Sequence, residues 1–418
     1  MSLTPTCVAN TGDIFNGVHE VDQDDATDDT VGETTRNNYF REAQFSPDGT
    51  SIVTLNNDQT LRTFILPPDL LDDNEKPRQL QEYAAFKSPA SIQSYAIHPC
   101  YDLQNPSTTL VLHAATDQPL SLRNSLDYST IATKYNNICP TTEAYTSSYS
   151  LTFTKDGGHF ISGGNNQLSV FDCYQGYSDA IIIHRLAPGR KARKLFGDQP
   201  LSCKGIVSAL ALNDKGMLAA GTTEREIGLF PDEGQSGCLV SFSVANKAIL
   251  SENEPVLKGT GITHLKWGPD SNYLLIAERQ SDCVQVYDVR NTIKRVSWLS
   301  GRKAKTTQRM GFDVVPTSDG FEVWAGGIDG AVRMWKDPGK VGGEQVPCAE
   351  MKLHGDAVAS TVWHPNGAVL ATCSGQRRQD STLRYDSDDD AETAGSTTNL
   401  DRMQRDNSLA IWTVASTI

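Results

Sequence analysis

Eight histidines and nine cysteines are the side chains of this 418-residue chain best suited to catalysis or metal binding, and their spacing supports neither. No two cysteines form C-x-x-C, and no pair of histidines stands at zinc-ligand spacing. The odd thiol count and the absence of an N-x-S/T sequon point to a reducing compartment, where scattered cysteines act as small apolar filler. HExxH and GxSxG are missing. "GTGITHLK" begins at Gly259 as G-x-G, but it lacks the last glycine and runs into strand-like sequence, so it reads as a turn. His98, His264 and His364 recur beside the end of one repeated strand and read as structural histidines. No nucleophile, base and oxyanion donor can be assembled. The expectation is a non-catalytic protein with no metal, cofactor or small-molecule substrate.

Charge offers a different chemistry. The net charge is −14, but two segments account for nearly all of it. Residues 20–33 hold seven carboxylates and no Lys or Arg, and residues 380–401 hold seven against Arg384 alone. The remainder is close to neutral. It carries three basic clusters: Arg190, Lys191, Arg193 and Lys194; Arg302, Lys303, Lys305 and Arg309; Arg377 and Arg378. Such clusters suit phosphate backbones, although basic residues also populate loops simply because loops are wet. Ser387, before three aspartates, resembles an acid-directed kinase site. The acidic stretch around it is expected to fold over the basic residues and compete with a polyanion.

The elements that position these clusters come from a repeat. "DQTLRTF", "DQPLSLR", "NNQLSVF", "EREIGLF", "SDCVQVY", "DGAVRMW" and "DNSLAIW" begin at Asp58, Asp117, Asn165, Glu224, Ser281, Asp329 and Asp406. An aliphatic residue follows three positions on in all seven, and an aromatic six positions on in all but one, where Arg123 stands. The alternation marks a half-buried strand after a tight turn. A second strand precedes each turn, and before most of these lies another, closed by a Pro/Asp/Gly turn. Spacings of 48–77 residues approach the WD-repeat period with loop insertions. A single such blade cannot bury its own faces, whereas a closed ring can. The fold is therefore read as all-β, a seven-bladed WD40 β-propeller.

The last repeat strand ends close to residue 418 without an outer partner. "TPTCVAN", near residue 4, is expected to supply it and latch the ring. Residues 1–36 then form the closing strand and an acidic linker, and 37–418 the propeller, with a disordered acidic insert at about 376–406. In such a ring the outer-to-inner and second-to-third connections share one face. That geometry would gather the three basic clusters on one rim. No signal peptide is evident, and the longest aliphatic run is far short of a membrane helix.

Several phrases go beyond a generic propeller. "FSPDGTSIVTLNNDQTLRTFILPPDLL", "GIVSALAL", "IGLFPDEG", "GTGITHLKWGPDSN", "YDVRN", "TTQRMGFDV", "GAVRMW" and "HPNGAVLATCSGQR" run in order over roughly residues 38–415. They resemble the WD-repeat family of the telomerase Cajal body protein and its shorter yeast relative linked to pre-mRNA splicing. The resemblance implies a nuclear adaptor that binds small nuclear RNA or the proteins of its particles, and the chain is expected to be a monomer. The long Pro-rich N-terminal segment of animal members has no counterpart here, which leans the expectation towards the splicing-associated form. Arg309, Gly375 and Arg377 lie in family phrases and in the basic clusters at once, making them the favoured RNA-contacting positions. The resemblance assigns them no role. The rival expectation is a protein-only scaffold of the signalling or ubiquitin-ligase receptor type.

Overall fold

Alternating apolar side chains give each strand one face for each neighbouring blade, and the structure uses both. A computed structural model describes residues 2–15, 38–72, 75–139, 143–187, 203–245, 254–290, 294–376 and 406–417. Seven antiparallel sheets form the blades of a propeller. From the inside outwards, blade one consists of Phe40–Phe45, Ser51–Asn56, Thr60–Ile65 and Ala84–Lys87. Blades two to six repeat this order, with inner strands Ile92–Ile97, Ser150–Phe153, Val207–Leu212, Ile262–Trp267 and Phe312–Pro316. Blade seven has Val358–Trp363, Leu370–Ser374 and Leu409–Thr417, and its fourth strand is Ser2–Asn10. Ser2 pairs with Thr417 and Asn10 with Ala410, so the start of the chain closes the ring.

The repeated motif occupies the third strand of every blade, and its turn has a physical signature. Gln59, Asp117, Asn166, Arg225, Gln280 and Gly330 sit in these turns with φ between +52° and +76°. Leu61, Leu168, Ile227, Val284, Val332 and Leu409 are fully buried, as are Phe64, Phe171, Phe230 and Trp335. The exception, Arg123, lies with its guanidinium carbon 4.2 Å from the Phe86 ring centroid, so a cation–π contact replaces the aromatic plug.

The core is seven apolar clusters, one at each seam. Ala9, Phe40, Phe64, Cys373 and Ile411 join blades seven and one, and Leu275, Val286, Phe312, Val323 and Trp335 join blades five and six. Equivalent clusters fill the other five seams. Polar devices reinforce two of them. His98 Nε2 lies 3.3 Å from the Gly157 carbonyl oxygen, and His364 Nε2 lies 2.9 Å from that of Gly49. A Cβ on Gly49 would fall 2.3 Å from the His364 ring, so that seam admits only glycine. Parallel pairing adds more: Arg78–Gln79 joins the Ser2–Asn10 strand, and Gly343–Gln345 joins blade five.

Eight residue pairs hold the closing strand, and its Ala9 is fully buried. Deleting residues 1–10 exposes the Leu409–Thr417 edge. The thermal midpoint is expected to fall by at least about 5 °C. Concentration-dependent association should appear in light scattering. Unchanged melting would contradict the role of this strand as the latch.

Candidate functional site

The seven inner strands surround an axial channel. Five of them carry a β-bulge at the same place, near their first residue, leaving Arg41, Gln93, Ser208, Thr263 and Ala359 out of the ladder. Bulges free backbone groups and re-aim side chains. Serine hydroxyls on these strands take up carbonyls of the next blade: Ser94 donates to Ser148 (3.0 Å), Ser150 to Val207 (2.8 Å) and Ser208 to Ile262 (2.5 Å). Two cavities result, of about 570 and 620 Å³, sharing Glu42, His264 and Arg309 in their walls. The first reaches Pro47, Pro99 and Pro365 in the inner-to-second turns. The second opens on the opposite face, among Asn57, Arg279, Thr306, Gln308 and Gln376.

The electrostatics of this second mouth are positive. Arg41, Arg279 and Arg309 line it against the single carboxylate of Glu42. Arg309 Nη2 donates to the carbonyls of Ser208 (3.0 Å) and Thr263 (2.8 Å), while its Nε is buried without a partner. Burial, with repulsion from Arg41 and Arg279, lowers its proton affinity, and Glu42 acts the other way. His264 is pushed well below the usual imidazole range by burial and by the Arg309, Arg302 and Lys266 charges. It is therefore neutral at pH 7, and its Nδ1 has no partner. Lys266 bonds Asp313 at 3.0 Å deeper in the channel.

A second polar constellation lies inside blade seven. Trp412 Nε1 donates to Thr372 Oγ1 (2.8 Å), which lies 2.7 Å from His354 Nε2, and His354 Nδ1 lies 3.0 Å from Asp406. Ser374 and Ser408 also donate to Asp406, at 2.6 and 2.7 Å. The order hydroxyl, imidazole, carboxylate resembles a hydrolase triad. Thr372 is fully buried, however, and its hydroxyl takes the Trp412 N–H, so the network ties the strands of blade seven together. Sequence reasoning passed over His354 because Asp406 lies 52 residues away, beyond the insert. The carboxylate at the head of the repeat turn was the available signal. In blades one and six the same Asp bonds the Arg four residues on, Asp58 to Arg62 and Asp329 to Arg333, both at 2.6 Å.

Comparison with known proteins agrees with the propeller fold. The family described as "WD domain, G-beta repeat" matches residues 345–385. The guanine nucleotide-binding protein negative regulator 1 of Schizosaccharomyces pombe is 32% identical over 72% of this chain and 71% of its own length. Telomerase Cajal body protein 1 of Homo sapiens is 26% identical over 82% of this chain and 58% of its own. Protein SWT21 of Vanderwaltozyma polyspora is 25% identical over 67% and 63%. The chain belongs to this WD-repeat family. It spans somewhat under three fifths of the human telomerase Cajal body protein that it matches.

Within this WD-repeat propeller the basic positions have separate fates. Lys303 and Lys305 are exposed and pair with Asp329 and Asp282, both at 2.9 Å. Arg302 is the correction: it is fully buried, and its guanidinium donates to the carbonyls of Gly326 (3.3 Å), Met310 (2.6 Å) and Gly311 (2.7 Å). Burial lowers it to about 10, so it stays charged at pH 7 as a fastener of blade six. Arg309 is half-buried in the channel mouth rather than on the rim. Gly375 is also a positioning residue. It has φ +115°, a Cβ there would approach Tyr39 to 2.7 Å, and its carbonyl accepts Gln308 Nε2 at 3.0 Å. That bond brings the "TTQR" and "SGQR" phrases together. Arg190, Lys191, Arg193, Lys194, Arg377, Arg378 and Ser387 lie outside the described residues, as do both acidic segments.

All nine cysteines are free, with Cys203 and Cys373 buried. Among the described residues no group of His, Cys, Asp and Glu could hold a metal, and no helix is long and apolar enough to cross a membrane.

Two outcomes follow for the buried charges. Replacing Arg302 with Met leaves three carbonyls short of a donor and should destabilise the fold by about 2–4 kcal/mol in denaturant titration. Asp406 tests the sign of a pH effect. Burial alone would raise its carboxyl, but bonds from His354, Ser374 and Ser408 outweigh that and hold it well below the ordinary range. Its stabilisation is complete above the unfolded value of roughly 3.9 and fades as pH falls below it. Asp406→Asn should therefore cost stability at pH 7 and flatten the fall in Tm between about pH 4 and 2. An equally steep acid transition in the variant would count against this assignment.

Proposed function

We propose that this protein is a non-catalytic nuclear scaffold that binds small nuclear RNA and its protein particles in RNA processing. The binding face is the one formed by the outer-to-inner and second-to-third connections. One observation carries the reading: on a chain of net charge −14, this face presents Lys303 and Lys305 around a mouth lined by Arg41, Arg279 and Arg309. The relatives' names support it, because one contains telomerase and the Cajal body, a nuclear structure. Phosphates would exchange with Asp329 and Asp282 for the two lysines, a transfer that salt weakens.

A protein partner is the second reading, favoured by the name of the fission-yeast relative, a negative regulator of a guanine nucleotide-binding protein. Pulldowns from nuclear extract with and without nuclease separate the two. Under the RNA reading, partners are lost on RNA digestion, and small nuclear RNAs bind the purified protein with a steep salt dependence. Neutralising Lys303 and Lys305 together should weaken that binding by about 3- to 10-fold. Partners that all survive digestion, with no RNA binding in vitro, would establish the protein-only scaffold instead.

A further inference from the structure

We propose that the second channel mouth is a receptor for one phosphoryl group of unpaired RNA, gripped by Arg41, Arg279 and Arg309. The inference rests on the RNA-scaffold reading above and places a specific contact within it. Three remote parts of the chain supply the guanidinium groups: the bulge of the blade-one inner strand, the second-to-third turn of blade five, and the segment entering blade six. Six arginines elsewhere among the described residues meet a carboxylate, while Arg302 and Arg123 are held by carbonyls and, for Arg123, a ring. Arg62, Arg78, Arg225, Arg290, Arg295 and Arg333 each form an ion pair. At the mouth the described residues show no such pair. Arg41 donates to the Ile92 carbonyl, and Glu42 is engaged by Gln44 at 3.0 Å. Three guanidiniums that pair with no carboxylate among the described residues, gathered at one opening, make a positive site suited to an anion.

The form of the site selects the ligand. Arg309 is anchored through Nη2 to two backbone carbonyls, which fixes its charge beside the opening. Arg41 and Arg279, in the same wall, are the guanidinium groups left to grip phosphate oxygens in paired geometry. Neutral polar side chains, among them Thr306 and Gln376, complete the wall, a lining of the kind that meets base edges and 2′-hydroxyls. A cavity of about 620 Å³ admits a nucleotide on a flexible strand, but not a duplex, whose phosphates lie on a wide convex surface. The wall contributes few apolar side chains, which disfavours a phosphopeptide.

The test uses the full chain and fluorescent single-stranded oligoribonucleotides bearing either a 5′-phosphate or a 5′-hydroxyl. The variant Arg41→Gln/Arg279→Gln keeps Arg309 and its backbone bonds, and its melting curve checks folding. A matched control neutralises Lys87 and Lys134 on outer strands. The expected result is at least about a tenfold rise in Kd for the mouth variant. Its slope of log K against log salt should flatten by about one, and the control should not change. A preference for the 5′-phosphate assigns the site to an RNA end, and equal binding assigns it to an internal phosphodiester. Wild-type affinity in the mouth variant overturns the inference and leaves the scaffold reading intact. Absence of RNA binding by the wild type sinks that reading and the inference together. Displacement of the RNA by a phosphoserine peptide at lower concentration than by unlabelled RNA assigns the mouth to protein and also overturns the inference.

Discussion

Every blade of this protein has two apolar faces, and neither can be covered by the blade itself. That constraint organises the molecule. Four short strands expose too much apolar surface to stand alone, so each blade is stable only between two others, and the last must meet the first. The seven apolar clusters lie between blades rather than within them. The closing strand is therefore part of the core rather than an appendage, since Ala9 packs with Phe40 and Ile411 across the last seam.

The same constraint produces the channel. Inner strands face the axis and have no strand beyond them, so their outward polar groups need other partners. Serine hydroxyls supply some, bonding from one inner strand to the next. Bulges supply others by releasing carbonyls such as those of Ser208 and Thr263, which Arg309 then takes. A guanidinium held in this way by its Nη2 becomes a fixed charge beside the axis. The positive mouth thus follows from how the ring satisfies its own backbone.

Charge separates structure from surface. Arg302, Arg333 and His354 are buried in hydrogen-bonded networks that hold strands together. Lys303 and Lys305, adjacent in sequence to Arg302, stand in solvent on aspartates and keep their ability to change partner. Neighbours in one basic run can therefore have opposite roles. In a propeller the alternate positions of a connection face either the next seam or the water.

The periodic part of the design was legible from the residues alone. The aliphatic and aromatic positions of the third strand, the number of blades and the need for a closing strand all follow from local patterning, because burial at the seams imposes the same two-residue alternation on every copy. The family phrases added its relationship to telomerase Cajal body protein 1. Position within the ring was legible only in part. The exposed lysines were read as such, whereas Arg302 was misplaced and the convergence of Arg41, Arg279 and Arg309 was invisible. These residues are 30 to 268 positions apart, and only the closure of the ring, with its bulges and the Gln308–Gly375 bond, brings them to one opening. Local alternation determines which face of a strand is buried. Which distant side chains share that space is decided by tertiary packing.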